Sequence, residues 1–108
     1  MEENLPRKYF ALVQLDANSD LQRLANDIPA IIDVFSQASG GDMEQVCRSS
    51  DGLLFGFFLK VSKPLDFVRA EFQKSTSSRS GDSLLIFEVN DDFTGQGFTR
   101  AWTWLQNH

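Results

Sequence analysis

The amino-acid sequence predicts an α+β domain of ferredoxin-like type, a βαββαβ sandwich with an added C-terminal helix. Three observations carry this expectation. Residues 9–15 and 53–61 are long apolar runs that read as central strands. Each is followed by a segment whose apolar residues recur at helical intervals. A third apolar run, Leu84 to Val89, comes late in the chain. That order is the split βαβ arrangement, in which the first and third strands are central and both helices cover one sheet face.

Each element has a local cause. Tyr9 to Leu15 lies between charged Arg7-Lys8 and polar Asp16-Ala17-Asn18-Ser19, which bounds the first strand. Ser19 and Gln22 stand at capping-box spacing, and Leu21, Leu24, Ala25, Ile28, Ile31, Ile32 and Phe35 form a helical stripe. Pro29 falls inside that stripe and predicts a kink or break near Asp27-Ile28. Gly40-Gly41 ends the helix. Met43 to Ser50 is mixed and polar, as befits an edge strand, and Ser50-Asp51-Gly52 is a tight turn into Leu53 to Val61. Gly56 in that strand marks a bulge or a close approach of backbone. Pro64 opens a short second helix with the stripe Leu65, Val68 and Phe72. The Ser-rich stretch within 75–83 has no period and is expected to be a mobile loop, and residues 1–7 an N-terminal tail. Leu84 to Val89 is expected as a buried strand. After the Gly95-Gln96-Gly97 turn, Phe98, Ala101, Trp102 and Leu105 share one face of a terminal helix and leave Trp104 on another.

Length and composition bound the function. The 108 residues suit one domain, spanning 1–108, with a core large enough to need no staples. The single Cys47 excludes an internal disulfide and favours a reducing compartment, and no run approaches a membrane span, so a cytoplasmic protein without membrane contact is expected. A net charge of −5 argues against a general nucleic-acid coat. The charge is uneven: residues 1–47 carry −5, residues 48–79 carry +3 and residues 80–108 carry −3. Arg48, Lys60, Lys63, Arg69, Lys74 and Arg79 supply the positive third, either as an edge for an acidic partner or phosphate, or as ordinary solvated positions.

Few residues offer chemistry. Asp16 ends the first strand, where a carboxylate held on a rigid support can bind a hard cation, or simply cap a turn through nearby backbone amides. Asp91 and Asp92 follow the last strand. The first and last strands of such a sheet are expected to be parallel neighbours, so that these carboxylates emerge at the same end as Asp16 as candidate metal ligands, or else are solvated turn residues. His108 is the sole histidine and the last residue, which disfavours a histidine triad, and Cys47 has no histidine to activate it. Gly95-Gln96-Gly97 lacks the third glycine of a dinucleotide fingerprint. RNA-recognition motifs share the element order and set a Phe-Gly-Phe on the third strand for base stacking. Here Leu53 and Leu54 replace the basic residue and glycine before Phe55-Gly56-Phe57, and Lys60 replaces the closing aromatic. Phe55 and Phe57 therefore read as core or dimer-face residues, with Trp104 a third interface candidate.

The strand ending Ala11-Leu12-Val13-Gln14-Leu15-Asp16, the hairpin strand Leu53 to Val61, and Leu84-Leu85-Ile86-Phe87-Glu88-Val89 before Asp91-Asp92-Phe93-Thr94-Gly95-Gln96-Gly97 resemble SinR-family small bacterial proteins. These are similar in fold to CRISPR adaptation nucleases and VapD-like ribonucleases. The resemblance covers residues 8–107. It implies that Asp16, with its copy across a homodimer axis, positions magnesium or manganese to activate water against a phosphodiester. Leu15 stands where the nucleases have tyrosine, and a helix ends the chain where they commonly carry another strand. The leading expectation is therefore a small dimeric interaction module without catalysis, and the alternative a metal-dependent endonuclease built on Asp16.

Overall fold

The computed structural model of the chain describes residues 6–75, 81–89 and 104–105. They form β1 (Arg7–Gln14), α1 (Leu21–Ala38), β2 (Met43–Arg48), β3 (Leu54–Val61), α2 (Leu65–Lys74) and β4 (Ser83–Val89). The four strands make one sheet in the order β2-β3-β1-β4, with every neighbouring pair antiparallel. This is the ferredoxin-like α+β arrangement, and the two most apolar strands are central. A strand that is apolar on both of its faces gains most where both faces are covered.

Strand alternation divides the side chains between two faces. Tyr9, Ala11, Val13, Phe55, Phe57, Leu59 and Val61 point toward the helices and are buried. Ile28, Ile31 and Phe35 of α1 and Val68 and Phe72 of α2 meet them. Phe35 joins three elements: its ring lies 4.7 Å from Phe57, edge to face, and 5.9 Å from Phe72. Burial of one such ring contributes about 1.5–3 kcal/mol. The Tyr9 hydroxyl donates to the Lys63 carbonyl at 2.9 Å, so the one polar atom this residue brings inside is satisfied.

Several local expectations are corrected. α1 is not broken at Pro29: it is one helix from Leu21 to Ala38, with Ile28, Ile31 and Phe35, from both sides of the proline, in the same core. Its N-cap is Asp20, whose carboxylate accepts from the Arg23 N–H at 2.8 Å, so Ser19 is left for another task. Arg7 belongs to β1 rather than to a tail, and Ser83 to β4 rather than to a loop. β4 is a half-exposed edge strand, not a buried one, since only its inward residues Leu84 and Ile86 reach the core. The irregularity near Gly56 lies on the facing strand, as a register shift between Gln45 and Cys47. Gly56 itself permits a close approach: a Cβ there would stand 2.9 Å from both Cys47 Sγ and the Phe10 ring. Cys47 is accordingly a half-buried residue of the outward face. Trp104 and Leu105 are helical and buried; the rest of the expected terminal helix, the Gly95-Gln96-Gly97 turn and most of the Ser-rich stretch lie outside the described residues.

Candidate functional site

Two regions hold the residues singled out from the sequence. The first is the end of β1. Asp16 Oδ1 accepts from the Asn18 N–H at 2.9 Å and the Asp16 carbonyl accepts from the Ser19 N–H at 3.0 Å, which folds the chain into the turn that starts α1. The Asp16 carboxylate packs so closely against Gly81 that a Cβ at that position would overlap it. Behind this turn stands Asp82. Its Oδ1 accepts from the Asp16 N–H at 2.9 Å and from Arg23 Nη1 at 2.9 Å, while Oδ2 takes Arg23 Nη2 at 2.5 Å. Arg23 also donates to Asp27 at 2.8 Å and to the Ser19 hydroxyl at 2.8 Å. The Asp82 side chain is 0% exposed and that of Arg23 2% exposed, so the fork-shaped guanidinium is matched inside the protein. Hydrogen bonds from Arg23 to Asp82 first, and then to Asp27, hold its proton well above the ordinary guanidinium range against the opposing effect of burial.

Neither Arg23 nor Asp82 stood out in the sequence. The signals were present: an arginine at four-residue spacing from both Ser19 and Asp27, and the sole base between Lys8 and Arg48. Its partner, 59 positions away, becomes visible only in three dimensions.

The proposed convergence of Asp16 with Asp91 and Asp92 is overturned at its premise. β1 and β4 are antiparallel, with Gln14 opposite Ser83 and Lys8 opposite Val89. The chain therefore leaves β4 beside the start of β1, about 20 Å of strand away from the Asp16 end. Both crossovers of this fold pass over one intervening strand, which makes all sheet neighbours antiparallel. Asp91 and Asp92 themselves lie outside the described residues. Among the described residues no three His, Cys, Asp or Glu side chains come together as metal ligands would.

Of the basic residues, Arg48 and Lys60 stand well apart. Arg48 faces Phe55 at the start of β3, while Lys60 lies near that strand's other end, about 17 Å along it. Lys63 places its ammonium 5.6 Å from the centre of the Phe67 ring. On α2, Arg69 pairs with Asp66 at 3.5 Å and Lys74 with Glu71 at 2.8 Å. Exposed pairs of this kind contribute little. Arg79 lies outside the described residues.

The second region is the sheet face away from the helices. Phe55 and Phe57 are absent from it: both are fully buried on the inward side, which corrects their assignment to an interface and removes base stacking as their role. In their place the outward face carries Phe58, Phe10, Leu12, Leu85 and Phe87. Phe10 lies between Phe58 and Phe87, with ring centres 5.2 and 5.5 Å away. Trp104 stacks on Phe58 at 5.6 Å with its plane tilted by only 12°, so its off-stripe position serves to cover this face. The cover is incomplete: Leu85 is 57% and Phe87 47% exposed.

The fold and these regions define a small ferredoxin-like α+β protein with an apolar outward sheet face. No family model and no curated protein matches the chain. Among solved structures it is similar to the uncharacterized protein TM1266 from Thermotoga maritima, at 13% identity and a TM-score of 0.47, covering 80% of this chain and 100% of that one. No helix among the described residues is long and apolar enough to cross a membrane.

Proposed function

We propose that the chain is a small homodimeric interaction module of the cytoplasm that acts by recognition rather than by catalysis. The observation that carries this reading is the row of outward apolar residues ending in exposed Leu85 and Phe87. Large side chains left in water beside a continuous apolar face mark a surface that gains by being covered. Sedimentation over one to several hundred micromolar tests it, the range in which weak association appears. The natural chain is expected to shift from monomer to dimer, and Phe87→Lys to remain monomeric. A natural chain that stays monomeric throughout overturns the reading.

A second reading, a magnesium- or manganese-dependent nuclease, draws support from the placement of Asp16 and from the resemblance to SinR-family proteins and their nuclease relatives. Asp16 stands at the end of a central strand with its backbone N–H fixed by buried Asp82. Such a support is suited to aiming a carboxylate at a cation. RNA and DNA incubated with either metal are expected, on this reading, to be cut by the natural protein and not by Asp16→Ala. Equal rates, or no cleavage by either, remove it.

A further inference from the structure

We propose that two copies of this chain pair along β4, edge to edge and antiparallel, about a two-fold axis at Ile86, joining two four-stranded sheets into one. The inference rests on the homodimer reading and specifies how the copies meet.

The two edges of the sheet differ in how they are guarded. β2 is broken by the shift between Gln45 and Cys47 and carries Glu44 and Arg48, all devices that discourage a further strand. β4 has no such break and fewer charges. It pairs with β1 without interruption from Ser83 to Val89, contains no proline, and bears one charged residue, Glu88. Among the described residues β1 is the sole strand neighbour of β4, and the backbone groups of β4 turned away from β1 are of the kind that a second strand accepts.

The sequence of β4 selects both partner and register. Its seven residues have Ile86 at their centre, so two antiparallel copies overlap completely only when Ile86 meets Ile86 of the partner subunit. In that register Leu85 faces the partner's Phe87, and Phe87 faces Leu85 of the partner subunit. The two most exposed residues of the outward face thus cover each other twice over. Charge favours the same arrangement. A parallel pairing would set Glu88 on the partner's Glu88, whereas the antiparallel one separates them by four strand positions, about 14 Å, beyond the screening length at physiological salt. With the β2 edge guarded, pairing along β4 about a two-fold axis closes at two copies and does not propagate. One short strand per copy is a small interface, which places the dimer among weak ones.

Cross-linking reads the register directly. In a Cys47→Ser background, Leu85→Cys and Phe87→Cys are prepared separately, both at exposed positions that leave the fold intact. Residues directly opposite in an antiparallel pair have Cα atoms about 4.5–5.5 Å apart, within disulfide reach, while positions offset by two are too far apart. Oxidation of the equimolar mixture at a concentration where the natural chain is dimeric is expected to give disulfide dimers at least tenfold above either variant alone. A natural chain that dimerises while the mixture fails to cross-link, or cross-links no better than the single variants, overturns edge pairing and leaves the homodimer standing. A natural chain that is monomeric overturns both.

Discussion

The two faces of the sheet are built from the same strands and nearly the same residue types, yet they do different things. On the inward face Tyr9, Phe55 and Phe57 are fully buried beneath two helices. On the outward face, one position along each strand, Phe10 and Phe58 are half-buried, Phe58 beneath Trp104, and Phe87 is 47% exposed. Aromatic content alone therefore does not identify a core. What separates the faces is the direction in which each crossover carries its helix, and both helices lie on the inward side.

The comparison can be broken, and the largest effect is expected where burial is greatest. Phe57→Ala should lower unfolding free energy by about 3–5 kcal/mol, whereas Phe87→Ala should change it by less than about 1 kcal/mol. Urea unfolding at a concentration where the chain is monomeric measures both, and comparable losses would show that the faces are energetically equal. Removing one member of the buried pair, as in Asp82→Ala, should cost about 3–5 kcal/mol because it leaves Arg23 buried and short of its main partner. The same denaturation experiment reads this effect.

Smaller effects sharpen the contrast. Trp104→Leu keeps an apolar cover on Phe58 and removes the ring stacking, so a loss of about 1 kcal/mol is expected, with a weakened near-ultraviolet circular dichroism signal. The smallest effect concerns Tyr9, the chain's one tyrosine. Its burial raises the phenol pKa above the usual value; Arg7 nearby lowers it in part and Glu88 adds to the rise. A raised folded-state pKa means that the unfolded chain gives up this proton first. Stability from Tyr9 is complete below about pH 10 and declines as pH rises through the folded pKa. Ultraviolet titration of the folded protein should place the phenol above free tyrosine, and Tyr9→Phe should flatten the alkaline decline.

Much of the fold was legible because its signals are local. Apolar runs bounded by polar residues marked β1 and β3 as central, helical spacing marked α1 and α2, and turn residues marked the β2–β3 connection. There Asp51 accepts from the Ser49 hydroxyl and the Leu53 N–H, which together hold its carboxyl below the usual range. The candidate site was less legible. Asp16 could be named from its place at a strand end, but the side chains that fix it, Asp82 and Arg23, meet across 59 residues of sequence. The error over Asp91 and Asp92 came from strand direction, a property of the whole topology.

By itself the sequence determined the order of elements, their apolar stripes, the central place of β1 and β3 and the scarcity of chemistry-bearing groups, since each depends on neighbours a few residues apart. Only the tertiary structure decided which side of each strand meets the helices, that β1 and β4 run in opposite directions, and that Leu85 and Phe87 remain exposed. Those outcomes depend on contacts between distant segments, which no local pattern encodes. A shift of one position along a strand would exchange the two faces, and packing of the helices against Tyr9, Phe55 and Phe57 is what fixes the choice.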